Sequence, residues 1–159
     1  MATDTVRELI LKNRAALLAT IAVAAGYDNT VQLVQRFKQA GQKKAKTPLL
    51  LLGAGREEAE LGNCSPIEMI DKHMDVHVGI IHRLPPTESR PGDEVLNSLM
   101  GDIEKAWTTD VTCGGYALES HLASSYPIAV EEGEPDLMQL MVFEVYYRHR
   151  MTDPKNAAT

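Results

Sequence analysis

The densest set of side chains able to do chemistry is His73-Met74-Asp75-Val76-His77. Two histidines around a carboxylate are the residue types of a divalent-metal site, and a metal held there would make a bound water nucleophilic for hydrolysis. The spacing argues against the two-histidine zinc helix. In that motif a glutamate follows the first histidine as general base, and Met74 stands at that place. Met74, Val76, Val78 and Ile80 alternate with His73, Asp75, His77 and Gly79, a period of two that predicts a strand. On a strand His73 and His77 share a face about 13 Å apart, too far for one ion with bonds of about 2.1 Å. Only His73 with Asp75, or Asp75 with His77, is left to chelate. Polar residues on the solvent or lumen side of a strand give the same pattern with no metal, which is the reading adopted.

Other candidates are weaker. Ser65, Ser89, Ser98, Ser120, Ser124 and Ser125 lie in no GxSxG elbow, and Cys64 and Cys113 lie in no motif that activates a thiolate. Two isolated cysteines read as reduced thiols. Gly53-Ala54-Gly55 begins like a dinucleotide fingerprint, but Glu57, Glu58 and Glu60 follow and would repel a pyrophosphate. Glu131, Glu132, Glu134 and Asp136 lack the spacing of a calcium loop and read as a solvated turn. Lys38, Lys43, Lys44 and Lys46 form the one basic cluster. They suit a solvated hairpin tip or a loop touching an acidic partner or DNA, with no interleaved aromatic residue for stacking bases.

The elements that must position these groups follow from periodicity. Residues 3–24 predict a helix, with Val6, Leu9, Ile10, Leu17 and Ile21 on one face and Thr3 or Asp4 as cap. Residues 30–37 predict a first strand joined by a hairpin-like connection to a short strand at 47–53, buried on both faces through Leu49, Leu50, Leu51 and Leu52. Residues 55–65 read as a turn and 67–84 as a third, long strand. Asp93 then caps a helix carrying Leu96, Leu99, Ile103 and Trp107. A strand is expected within 116–123, and a last, strongly strand-like segment spans 137–150. Residues 1–150 thus form a single α+β domain, a mostly antiparallel sheet with two helices packed on one face, and 151–159 form a flexible tail. Two helices hide one face of such a sheet, yet Leu49 to Leu52 and Leu140 to Phe143 put apolar side chains on both. Either the sheet folds over on itself or another copy of the chain covers the second face, and another copy is the expected cover.

Composition narrows the function class. The chain has 159 residues, 44% hydrophobic and 24% charged, as in an ordinary soluble domain. Its net charge of −6 disfavours generic nucleic-acid binding. No apolar run approaches the ~20 residues that span a bilayer, and the N-terminus lacks the pattern of a secretory signal, so a soluble protein made in the cytoplasm is expected.

Four stretches form a further pattern: Val6-Arg7-Glu8-Leu9-Ile10; Thr47-Pro48-Leu49-Leu50-Leu51-Leu52 leading into Gly55-Arg56-Glu57-Glu58; the strand into Arg83-Leu84 with the helix from Leu96 to Trp107; and Phe143-Glu144-Val145-Tyr146-Tyr147-Arg148 with Asp153-Pro154. In order and spacing they resemble the tail terminator (tail-completion, minor tail U-like) proteins of long-tailed bacteriophages. The resemblance implies a virion protein, not an enzyme, without cofactor. It implies a homohexameric ring on the head-proximal end of the tail tube that ends tube polymerisation and joins the tail to the neck. Its partners would be itself, the tail tube protein and a neck or head-completion protein, with no membrane. DNA would pass through the lumen without specific binding, helped by six copies at −6 each summing to about −36. The expected subunit interface is Leu140, Val142, Tyr146, Arg148 and Arg150, with the lysine loop as a partner contact. The alternatives are a head-side stopper or tube-like subunit, or a small metal-dependent hydrolase using His73, Asp75, His77 and His121.

Overall fold

The computed structural model describes residues 4–37, 46–60, 69–128 and 136–157. These form helices α1 (Val6–Leu18) and α2 (Gly92–Thr108), a short 3₁₀ turn at Val23–Ala25, and strands β1 (Leu33–Arg36), β2 (Leu49–Glu60), β3 (Met69–Arg83), β4 (Glu119–Pro127), β5 (Asp136–Arg150) and β6 (Asp153–Ala157). The sheet runs β1-β2-β3-β5-β4, with β6 pairing β5 beyond the end of β4. All its described pairings are antiparallel except β1 with β2. The fold is α+β.

The β3–β5 ladder is the spine, paired without a register shift from Met69 opposite Arg150 to Arg83 opposite Asp136. Strict alternation sends Met74, Val76, Val78 and Ile80 of β3, with Met141, Phe143, Val145 and Tyr147 of β5, to one side. There they meet Val6, Ile10, Leu11 and Leu18 of α1 and Leu99, Ile103, Ala106 and Trp107 of α2 in one core. Leu50 and Leu52 of β2 join the same core.

Several local expectations are corrected. The first helix ends at Leu18, not near residue 24, and its cap is Thr5, whose Oγ1 accepts the Glu8 N–H at 3.3 Å. The chain leaves the helix so that Ile21 can turn into the core, its carbonyl accepting from Val31 N–H at 3.0 Å. β1 pairs with β2 in parallel, so a hairpin does not join them; Val34 beside Leu50 thereby faces the core. β2 continues through 55–60, expected as a turn, because a bulge between Ala54 and Glu57 absorbs the extra residue against β3. Asp93 lies in the first turn of α2, where the helix dipole favours an acid, while Pro91 takes the cap position. Within the expected flexible tail, Asp153–Ala157 adds strand β6.

A buried cation ties α1 to the end of α2. Arg14 is fully buried, with its guanidinium 5.0 Å from the centre of the Trp107 ring and Nη2 3.0 Å from Asp110 Oδ2. Trp107 in turn stacks on Phe143 at 3.8 Å and donates from Nε1 to Ser120 Oγ at 3.0 Å. The loop that presents Asp110 explains Cys113-Gly114-Gly115. All three have positive φ (54°, 74° and 82°), which curls the chain so that Gly114 N–H donates to Asp110 at 2.6 Å. Burial opposes ionisation of Asp110, but hydrogen bonds from Thr112 and Gly114 and the Arg14 charge outweigh it and lower its pKa.

At the far end of the core face, Glu57 accepts from Lys72 Nζ at 2.6 Å and Tyr147 Oη at 2.8 Å, with Arg7 3.6 Å away. Burial alone would raise its pKa; these partners reverse the sign and hold it below the ordinary value of 4.5.

Two stability measurements follow. Asp110→Ala leaves a buried guanidinium short of its counter-ion and is expected to cost about 2–3 kcal/mol in urea unfolding, less than a fully buried pair would because Asp110 is partly exposed. Adding Arg14→Met should recover part of that loss; a double variant weaker than Asp110→Ala would contradict the pairing. Glu57 with a depressed folded pKa contributes fully above 4.5 and loses its contribution as pH falls through the folded value. The stability gap between wild type and Glu57→Gln should therefore narrow from about pH 6 to about pH 3; a constant gap would contradict it.

Candidate functional site

The odd-numbered side chains of β3 point to the sheet face opposite the core that α1 and α2 share. Register sorts this open face into cross-strand rows. Leu49, Ile81 and Met138 align in one row, and Leu51, Gly79, Leu140 and Tyr126 in the next. Gly53, His77, Val142 and Ser124 follow, then Asp75, Glu144 and His121, then Glu58, His73, Tyr146 and Glu119. One end of the face is apolar and the other ionisable.

At the apolar end Leu51, Ile81, Met138 and Leu140 are partly exposed and Tyr126 is 46% exposed. Strand glycines are used here to make room. A Cβ on Gly53 would sit 1.8 Å from the Phe37 ring, and one on Gly55 would sit 2.6 Å from His77 Nε2. The Gly53-Ala54-Gly55 pattern therefore seats neighbouring rings on a strand and forms no turn toward a helix.

At the ionisable end, His73 Nε2 lies 3.7 Å from Asp75 Oδ1 and 3.8 Å from Glu144 Oε1. His121 Nε2 lies 3.4 Å from the other Glu144 oxygen, to which Tyr146 Oη donates at 3.3 Å. The Tyr146 ring stacks on His73 with centroids 4.6 Å apart and planes within 5°. Glu144, which sequence reasoning did not single out as a ligand, is brought beside Asp75 by the β3–β5 register. An EVYYR segment read alone carries no sign of which strand it faces.

The residues expected at an interface fall in different environments. Leu140 is partly exposed on the apolar end, but Val142 is buried at 8% exposure, its side chain already covered within this chain. Tyr146 is held between His73 and His121. Arg148 forks onto Asp71 of β3, Nη2 to Oδ2 at 2.8 Å, and this lowers the Asp71 pKa. Arg150 is exposed at the end of β5, and Lys46 is exposed before β2. Lys38, Lys43 and Lys44 lie outside the described residues, as do Cys64 and the acidic run 131–134. Cys113 is buried, and burial pushes its thiol pKa up, the opposite of an activated nucleophile.

A recess of about 360 Å³ between α1 and the β1–β2 pair is lined by Arg7, Glu8, Leu11, Arg36, Phe37 and Leu52 among others. Its Arg36 and Glu8 already pair at 3.0 Å, and among the described residues no serine, cysteine or histidine lines it. No helix among the described residues is long and apolar enough to cross a membrane.

Gly53→Ala is expected to drive the Phe37 ring off the sheet and lower stability by about 1–3 kcal/mol in urea unfolding. Adding Phe37→Ala should remove most of that effect; an equal cost with alanine at 37 would contradict the close approach. No family model matches the chain, and no curated protein matches its sequence.

Proposed function

We propose that this chain is a structural subunit of a long-tailed bacteriophage, acting as a tail terminator. Copies assemble into a ring at the head-proximal end of the tail tube, end tube polymerisation and join the tail to the neck. The work is binding, with no chemical step. The virion tail is the site of action, after assembly in the host cytoplasm.

The observation that carries this reading is a sheet with α1 and α2 on one face and partly exposed apolar rows on the other. A ring of identical copies uses heterologous contacts, in which one patch meets a different patch on the next copy, and so can close around an axis while covering such a face. The outer sides of β1 and β4, unpaired among the described residues, offer further backbone groups for a neighbour. The resemblance adds order and spacing. Its four stretches fall on α1, on β2, on β3 with α2, and on β5 running into β6. The net charge of −6 suits a lumen that DNA crosses without sticking.

The geometry also moves the residues that assembly would use. Val142 is already buried and Arg148 is engaged by Asp71, so Leu51, Ile81, Leu140 and Tyr126 are the side chains a neighbour would cover. Light scattering and negative-stain images of the purified chain are expected to show discrete rings several times the 17.5 kDa subunit mass. Leu140→Asp, which places a charge in the apolar rows, should reduce the mass to that of the subunit with unchanged circular dichroism. Wild-type protein that stays monomeric at high concentration, or grows into long cylinders as a tube subunit would, contradicts the assignment.

A further inference from the structure

We infer that His73, Asp75 and Glu144 form a binding site for a divalent transition-metal ion of zinc's class. One ligand atom from each lies within 4.8 Å of the others. The site needs no other copy of the chain, so it stands or falls separately from ring assembly.

Distance is the first argument. His73 Nε2 stands 3.7 and 3.8 Å from one oxygen of each carboxylate, beyond the range of about 2.7–3.2 Å for a hydrogen bond. Two ligands on one tetrahedral ion, with bonds of about 2.0–2.1 Å, stand about 3.4 Å apart. The three groups are thus spaced for a shared ion more closely than for pairing with each other. His73 Nε2 is also buried and, among the described residues, has no hydrogen-bond partner. Buried polar nitrogens are nearly always satisfied, so a missing partner at this atom needs an explanation, and a metal bond supplies one.

The surroundings are built to hold the ligands. Asp75 and Glu144 are directly paired across the β3–β5 ladder, and His73 is two residues along the same face, so rigid backbone sets their separation. Tyr146 stacks on the His73 ring and donates from its hydroxyl to the second oxygen of Glu144, beside which His121 Nε2 lies at 3.4 Å. Such support orients ligands and raises their affinity. The side chains of His73, Asp75 and Glu144 are 23%, 25% and 30% exposed, so the cluster borders solvent. Three protein ligands leave a coordination position for water or an incoming group. One imidazole with two carboxylates favours zinc over calcium or magnesium, which prefer all-oxygen sets. His77, on the same face, is turned toward Gly55 and is not a ligand.

The test is calorimetric titration of the tag-free full chain, stripped with chelator, using zinc chloride and separately manganese, calcium and magnesium chloride. One equivalent of zinc should bind, at least tenfold tighter than manganese or calcium. His73→Ala and Glu144→Gln should each weaken zinc binding roughly tenfold or more, and His77→Ala should leave it within about twofold. Circular dichroism of each metal-free variant checks folding, with Asp75→Asn as a further ligand variant should one fail. No zinc binding, binding that survives His73→Ala in a folded protein, or calcium bound more tightly than zinc would overturn the site.

Discussion

The two-residue period of β3 and β5, locked in one register along fifteen residues of each, is the constraint from which the rest follows. A slip by one residue would exchange the faces, sending His73, Asp75 and His77 toward α1 and α2 and exposing Met74, Val76 and Val78. The core side chains resist that slip, because each of those three apolar residues is fully buried. Everything on the open face is placed as a consequence of what the opposite face must bury.

The division of labour between faces shows in how charge is treated. On the core side, Arg14 is fully buried and is held by Asp110, the Asn13 side chain and the Trp107 ring, so the charge is retained only with its partners in place. Asp102, 4% exposed, accepts from the backbone N–H groups of Asp28 and Asn29 at 3.1 and 2.8 Å, fastening the turn after α1 to α2. On the open face, ionisable groups gather at one end and apolar groups at the other. That separation gives a surface with two chemically distinct halves.

Periodicity made much of the fold legible. The alternation from Met74 to Ile80 gave β3, the run into Tyr146 and Tyr147 gave β5, and Leu99, Ile103 and Trp107 gave the buried face of α2. What stayed hidden depended on pairing. Nothing local in Gly55-Arg56-Glu57 distinguishes a turn from a bulged strand until Met74 and Val76 lie opposite. Asp153-Pro154 looks like a frayed end until β5 offers it an edge beyond β4. The ionisable site followed the same rule: His73 and Asp75 were visible two residues apart, but Glu144, some seventy positions away in the chain, becomes a neighbour only through register. Val142 was expected to be available for assembly, and the structure buries it.

We propose that another copy of this chain covers the apolar end of the open sheet face. Hydroxyl-radical footprinting across a concentration series reads that face directly, with Tyr126, Met138 and Leu140 as reporters and Met151, exposed at the start of the C-terminal segment, as reference. The account predicts that oxidation of the three reporters falls together as concentration rises while Met151 changes little. Reporters whose oxidation is independent of concentration, in protein that remains folded throughout, would contradict it.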